Sequence, residues 1–316
     1  MPDRILLVRL GAFGDILHTL PAAATVRANS PGAHIAWIVE HRWQALLESN
    51  PDIHEVITLD RASIGGLLNT RRELRARAFN AAIDFQGLLK SALTARASGA
   101  KNISGYSRDA AREPLAALLY SRSTTPTSKH IVDRHMELAN FATGPKRRVE
   151  FAIPQGREEA PLPDRFVLAS PQAGWGSKQW PLENYAELGR LLRDRLDLPL
   201  VLNTAATAPA LPGTLPHVSG LPGLIDATRR AVAIVGVDSG PLHLAAALRK
   251  PGIALFGPTD PARNGPYCDT ITVLRDANQP ISYQRSTATD PGLAAITPVR
   301  VLEALEGNLR AYYPTR

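Results

Sequence analysis

Four polar stretches of this 316-residue chain combine residue types that can do chemistry. Asp238, Ser239 and Gly240 precede Pro241 and His243, between the β-branched run Ala233–Val237 and an Ala- and Leu-rich run over 242–248 at helical spacing. A strand, a tight turn and a helix in that order aim the free N–H groups of the helix N-terminus, with about half a positive charge, past the strand's end, which suits a phosphate. Pro241 fits the first helical turn, where its missing N–H is not needed. Asp15 stands where the apolar run 4–10 gives way to a helical pattern, and Lys178 lies in Gly174-Trp175-Gly176-Ser177-Lys178-Gln179-Trp180-Pro181. Arg112, in Ala111-Arg112-Glu113-Pro114, has a guanidinium that can hold a carboxylate through two parallel hydrogen bonds. Each residue also has a structural reading. Asp238, Ser239 or Asp15 can cap a helix, worth ~1 kcal/mol; His243 can be a partly buried histidine and Lys178 a solvated lysine.

The elements that must position these residues alternate. Residues 4–10 read as a strand, Gly11 to Gly14 as a loop, and Asp15 starts a helix that Pro21 should kink or reset. The glycines do not spell the dinucleotide fingerprint, so NAD is not inferred. Strands follow at 34–39, Glu55–Leu59 and 81–85, with helical segments at 43–48, 67–77 and 130–141. Residues 154–164, rich in Pro and charge, make the best domain boundary. Beyond it come strands at 166–169 and 198–203, a helix opened by Pro181, the 233–248 unit, strands at Gly252–Phe256 and 270–274, and a helix at 299–309. The loop after Gly252–Phe256, Gly257-Pro258-Thr259-Asp260-Pro261, opens on the same sheet edge as Asp238. Strands alternating with helices predict α/β architecture with mostly parallel sheets, whose ligands bind beyond the strands' carboxyl ends. Two domains are expected, 1–155 and 165–316.

Bulk properties narrow the function. Hydrophobic residues are 44% and charged residues 21%, which marks a globular chain. The single Cys268 excludes an intramolecular disulfide, and no Cys/His cluster has zinc spacing. The apolar run at the N-terminus is too short for a signal peptide, and none approaches the ~18 residues that span a bilayer. A cytoplasmic protein is expected. The formal charge of +7 is uneven: residues 1–150 hold 20 Lys and Arg against 14 Asp and Glu, whereas the rest hold 16 against 15. The first half therefore suits an anionic partner. Nucleic acid is not expected, because no helix-turn-helix, zinc-finger or aromatic-rich RNA-binding signature is present.

Asp238-Ser239-Gly240 with His243, followed by Gly257-Pro258-Thr259-Asp260-Pro261, resembles the donor-site signature of glycosyltransferase family 9, the ADP-heptose:lipopolysaccharide heptosyltransferases. Gly14-Asp15-Ile16-Leu17-His18-Thr19-Leu20-Pro21 resembles the family's catalytic stretch, and Asp84-Phe85-Gln86-Gly87-Leu88-Leu89-Lys90-Ser91 with Ala111-Arg112-Glu113-Pro114 is similar to the branch that adds the first heptose to Kdo of lipid A. The resemblance implies two Rossmann-like domains facing a cleft, the GT-B arrangement, with acceptor on the first and nucleotide sugar on the second. It implies Asp15 as general base, Lys178, Asp238, Ser239, Gly240 and His243 as donor-binding, and Gly14, Arg61 and Arg112 as acceptor-binding. The implied partners are an ADP-heptose donor, a Kdo-lipid A acceptor and the anionic cytoplasmic face of the inner membrane. A carboxylate is a weak base at neutral pH, so Asp15 would work by placement within ~3 Å of the acceptor hydroxyl.

The chain departs from the family where Ala173 and Gly174 replace hydroxyl residues, where Arg61 is followed by Ala62-Ser63-Ile64 instead of further basic residues, and in 203–213, which lacks an acidic residue for the nucleotide ribose. A family 9 transferase acting one sugar later, a GT-B-like sugar-nucleotide epimerase and a non-catalytic lipid-surface binder stay open as alternatives. Neither cofactor nor metal is expected, since the sequence has no Asp-x-Asp pair to hold a nucleotide-bound cation; Lys178 and the helix N-terminus at Gly240 would replace it. Transfer activity should therefore survive EDTA, and a strict Mg²⁺ requirement would overturn this diphosphate-site reading.

Overall fold

The computed structural model describes residues 3–208 and 210–314. The chain divides into two compact units, Met1–Pro154 and Gln155–Arg316. In the first, β1 (Arg4–Val8), α1 (Phe13–Asn29), β2 (His34–Glu40), β3 (Glu55–Leu59), α2 (Ile64–Ala76), β4 (Ala81–Asp84), α3 (Leu89–Ala97), β5 (Asn102–Tyr106), β6 (Arg122–Thr124) and α4 (Ile131–Thr143) follow in order. The second unit contains β7 (Val167–Ser170), α5 (Leu182–Leu196), β8 (Leu200–Asn203), β9 (Thr214–His217), α6 (Leu221–Arg230), β10 (Ala233–Val237), α7 (Gly240–Ala247), β11 (Gly252–Phe256), α8 (Pro261–Asn264), β12 (Ile271–Arg275), α9 (Pro291–Ala294) and α10 (Pro298–Tyr312).

Each unit builds one six-stranded sheet, ordered β3-β2-β1-β4-β5-β6 in the first and β12-β11-β10-β7-β8-β9 in the second. Counted within its own unit, the second order is the first repeated, and every described strand pair is parallel. This is the doubly wound Rossmann order. Its chain reverses direction across the sheet between β1 and β4, and again between β7 and β10, and the loops leaving those two strands part to opposite faces and leave a crevice at the carboxyl edge. The central strands are apolar throughout because helices cover both faces: Ile5 to Val8, Ile35 to Val39 and all of β10 and β11 are buried. β10 and β11 also require a glycine, since a Cβ on Gly252 would lie 2.2 Å from the Ile234 carbonyl oxygen.

Four local features differ from the sequence expectation. Helix α1 runs through Pro21 unbroken, because Ile16 to Val26 are buried on every side and the helix packs along α4; tertiary packing outweighs the lost backbone hydrogen bond. The segment expected as a helix at 43–48 is a short 3₁₀ turn, His41–Leu46. Helix α3 and strands β5, β6 and β9 carry too little periodicity to be legible beforehand, whereas helix α6, whose buried Leu224, Ile225, Ala227 and Thr228 share one face, is masked by Leu221-Pro222-Gly223 at its start, which reads as a turn. Residues 155–159 are tied to the second unit: Arg157 donates its N–H to the Pro222 carbonyl at 3.1 Å and Glu159 accepts from the Gly220 N–H at 2.6 Å.

Candidate functional site

Both reversal points carry ionised side chains predicted from the sequence. In the first unit, β1 is followed directly by Arg9, a charged residue only 2% exposed. Its guanidinium donates to the Phe85 carbonyl at 2.7 Å and forms an ion pair with Asp15 Oδ2 at 2.6 Å. Asp15 stands in the first turn of α1, one third exposed, and Oδ2 also accepts from the Ala12 N–H at 3.4 Å. The acidic side chain thus serves the helix end as well as the ion pair. Arg112 reaches the same oxygen at 3.7 Å while remaining half exposed. Among the described contacts, all of those made by this carboxylate fall on Oδ2.

Asp84, at the end of the neighbouring strand β4, holds this arrangement from behind. It is fully buried and accepts from Ser91 Oγ and Tyr120 Oη, each at 2.7 Å, and from the Gln86 N–H at 2.8 Å. Burial raises its pKa, and the hydrogen bonds from Tyr120, Gln86, Ser91 and Gly87 oppose that rise. The Gln86 side chain in turn accepts from the Leu10 N–H at 2.9 Å, fixing the strand end that presents Arg9. Gly87 is left-handed, with φ +66°, and a Cβ there would meet the Arg112 nitrogen at 3.3 Å; the Glu113 N–H donates to the Gly87 carbonyl at 2.9 Å. A glycine at 87 therefore lets the Arg112 segment lie against the β4 loop. Beside it, burial lowers the pKa of His135, whose Nδ1 shares a hydrogen bond of 2.5 Å with Tyr106 Oη.

Arg61, by contrast, pairs with Glu40 at 2.7 Å, not with Asp15. Glu40 ends β2 and also lies 3.0 Å from Arg42 and 3.9 Å from Lys90. Gly14 occupies the first turn of α1. The structure thus gathers Gly14, Asp15 and Arg112 together and puts Arg61 in a neighbouring basic cluster on the same sheet edge.

In the second unit Asp238 is the hub. It follows β10, is 5% exposed, and has Lys178 Nζ in close ion contact with Oδ2. Thr259 Oγ1 donates to that oxygen at 2.7 Å, and His243 Nε2 lies 3.4 Å from Oδ1. Burial alone would raise the Asp238 pKa; the His243 hydrogen bond and the Lys178 and His243 charges outweigh it and hold the group well below the ordinary carboxylate range. Lys178 also lies 4.4 Å from the centroid of the Trp175 ring, and the Arg285 guanidinium is 5.2 Å from that centroid. Its loop is anchored by Trp180, which is 1% exposed, donates to the Ile296 carbonyl at 2.9 Å and packs edge-on against Tyr185. Ser239 is the N-cap of α7 but no side-chain capping hydrogen bond forms there, so the alternative reading of Asp238 or Ser239 as a helix cap is not realised. The buried Oγ atoms of Ser177 and Ser239 have no hydrogen-bond partner among the described residues.

This geometry assembles a cation, a helix N-terminus and hydroxyl groups around a carboxylate that is already neutralised, a set suited to an anionic oxygen group. The profile of Glycosyltransferase family 9 (heptosyltransferase) matches residues 67–291, more than half the chain. The chain belongs to glycosyltransferase family 9. It is 32% identical over 295 residues to lipopolysaccharide heptosyltransferase 1 of Pseudomonas aeruginosa, covering 84% of this chain and 81% of that protein. To the protein of the same name from Escherichia coli K12 it is 30% identical over 326 residues, covering 93% of this chain and all of the relative. Among solved structures, E. coli heptosyltransferase WaaC with ADP superposes with a TM-score of 0.78 at 27% identity, over 96% of this chain and 99% of that one. E. coli ADP-heptose heptosyltransferase II, at 22% identity and a TM-score of 0.80, shares the fold.

Membership makes this family 9 chain a glycosyltransferase, which excludes the epimerase and the non-catalytic lipid binder weighed above. Sequence reasoning had missed Arg9, Asp84, Glu40 and Thr259. Arg9 left one signal, a cation inside the otherwise apolar Ile5-Leu6-Leu7-Val8-Arg9-Leu10. Asp238→Asn leaves the Lys178 ammonium poorly matched in a site where it is 12% exposed, and should lower unfolding free energy at neutral pH by about 3 kcal/mol. Because the folded pKa of Asp238 is depressed, its contribution is complete above the ordinary carboxylate value of about 4 and is lost as pH falls toward the folded value. Urea titrations of wild type and variant should therefore converge in acid, and a gap that widens there would contradict the assignment.

Proposed function

We propose that the chain transfers heptose from ADP-L-glycero-β-D-manno-heptose to a Kdo hydroxyl of the lipopolysaccharide inner core, inverting the anomeric centre in one displacement. The observation that carries this reading is the Asp15 carboxylate, held at the β1/β4 reversal point by Arg9 with Arg112 beside it, in a chain 30–32% identical to heptosyltransferases 1 over most of its length. The acceptor oxygen bonds to the heptose C1 as the C1–O bond to the diphosphate breaks. The acceptor proton goes to Asp15, and the electron pair of the broken bond leaves with ADP. Since Arg9, Arg112 and the Ala12 N–H all address Oδ2, Oδ1 is the oxygen assigned to take that proton.

Lys178, Ser239, Gly240 and His243 are assigned to the diphosphate. An ammonium has three donors, so Lys178 can keep its contact with Asp238 and still offer N–H groups to a phosphate. Its charge then offsets the negative charge gathering on the leaving group. Asp238 acts on the donor through Lys178 and His243. Arg112 is assigned to the Kdo carboxylate, with Gly14 and Arg61 at the edge of the acceptor site.

A membrane-surface location fits this reading. No helix among the described residues is long and apolar enough to cross a membrane. The excess positive charge lies in the first unit, where Arg71, Arg72 and Arg75 are exposed on α2. We assign the protein to the cytoplasmic face of the inner membrane, where an anionic leaflet would present the acceptor.

Mass analysis of products from ADP-heptose with Kdo-lipid A, against the same acceptor already bearing one heptose, tests the assignment. Exclusive use of the heptosylated acceptor would move the enzyme one sugar later. Asp15→Asn keeps the size of the side chain and removes the base, so kcat should fall by a factor of ~10² to 10⁴ with donor affinity unchanged; near-normal turnover would return Asp15 to a structural role. Arg112→Lys loses the two-pronged grip and should raise KM for acceptor while leaving KM for donor alone. Equal acceptor kinetics on a short soluble Kdo acceptor would show the clamp to be wrong.

A further inference from the structure

Among the described residues, seven of the eight large apolar side chains exposed in the first unit fall on three elements that follow one another around the acceptor side of its sheet. Ile64, Leu67 and Leu68 occupy positions i, i+3 and i+4 of α2, and Leu89 and Leu93 occupy i and i+4 of α3. Leu115 and Leu118 are one turn apart on the 3₁₀ segment Pro114–Leu119. Each element therefore turns one stripe outward, and each stripe is 38% to 79% exposed. Single exposed leucines are ordinary; a run of stripes on packed neighbours is not. Helix α2 packs against α3, and α3 against the 3₁₀ segment. The Arg75 side chain donates to the Ala97 carbonyl at 3.2 Å, and Glu113 accepts from the Leu89 N–H at 2.6 Å.

Charge says what covers this face. On α2 the outward row continues from Ile64, Leu67 and Leu68 into Arg71, Arg72 and Arg75, and α3 adds Lys90 and Arg96. Against these five cations the three elements carry one acid, Glu73, which faces Arg77 at 3.8 Å. Apolar turns that pass into arginines along one helix face match a lipid leaflet, with side chains among acyl chains and guanidinium groups at phosphates. An acidic protein surface would answer the arginines and leave the leucines wet. The patch also begins at the candidate acceptor residues: Arg61 precedes Ile64 by three positions, Arg112 precedes Leu115 by three, and Lys90 is beside Leu89.

We propose that Ile64, Leu67, Leu68, Leu89, Leu93, Leu115 and Leu118 insert into the headgroup and upper acyl region of an anionic bilayer, with the α2 and α3 cations on its phosphates. This rests on the lipid-linked acceptor read above and specifies the surface that meets the lipid.

The test uses the full chain with vesicles of phosphatidylethanolamine and phosphatidylglycerol, and the triple variant Ile64→Gln, Leu68→Gln, Leu118→Gln. Gln is a good helix former at exposed positions, so the variant should fold with an unchanged Tm. Its vesicle partitioning should fall by about tenfold or more, while turnover on a short soluble Kdo acceptor stays at the wild-type level. High salt should weaken wild-type binding but leave a residue that the triple variant lacks, because salt screens the cations and not the leucines. As a second measurement, Leu118→Trp should gain blue-shifted emission that brominated lipid quenches. Equal partitioning of wild type and triple variant, or introduced indole emission that brominated lipid leaves unquenched, overturns the proposal. So does a wild type that self-associates while the triple variant is monomeric, which would make the face a contact between copies. Absence of heptose transfer by wild type on the soluble acceptor would instead remove the functional reading, and vesicle partitioning would still report on the patch.

Discussion

A charge withdrawn from water must find its opposite, and in this protein that requirement operates at the reversal point of each sheet. Arg9 and Lys178 are both cations at the carboxyl end of a central strand or in the loop that follows it, with little access to solvent. Desolvating either without a partner would cost several kcal/mol. Asp15 and Asp238 supply the partners, and the surrounding structure serves to bring them there. The buried α1 delivers Asp15 to Arg9, while Trp180 pins the loop that delivers Lys178 to Asp238. The two pairs differ in exposure, and this difference accords with their assigned work. Asp15 is one third exposed, with one oxygen outside the described contacts. Asp238 is almost wholly enclosed and is used up by Lys178, Thr259 and His243. A group meant to take a proton from a substrate has to be reachable; one that holds a lysine in place does not.

How much of this was legible in the sequence depended on where each signal lay. Strands buried on both faces are continuous apolar runs, so β1, β2, β7, β10 and β11 stood out, and with them the loops past their ends. Asp15, Lys178 and Asp238 could be picked out for that reason. Strand β9 could not, because Pro216 interrupts its alternation, and helix α6 was hidden because Leu221-Pro222-Gly223 at its start reads as a turn although its apolar residues do share one face. Arg61 and Arg112 looked alike as basic residues near an expected edge. Only the fold separates them, since Glu40 comes from a different strand and claims Arg61 first. Asp84 was quoted in a motif without being given a task, because nothing in the sequence shows that Ser91 and Tyr120 close over it.

The same limit applies to α2. Its arginines could be read from spacing alone as a solvated face or an electrostatic one. Exposure of the leucines and isoleucine that precede them, and the adjacency of α3 and the Pro114–Leu119 turn, are tertiary facts. A stripe that would look like half of an ordinary amphipathic helix turns out to face away from the core, which α2 meets through Gly66, Thr70 and Leu74.

The convergence on Asp238 bears on how this protein can vary. Lys178, His243 and Thr259 come from three segments, 60, 5 and 21 residues away along the chain, and all depend on one carboxylate. Their substitutions cannot be independent: once Asp238 is altered, the loss of any partner counts for less, and a change at one partner redistributes charge felt by the others. In a lineage these four positions therefore behave as a single heritable character spread over three motifs. A drift that is harmless at one of them in one background becomes damaging in another.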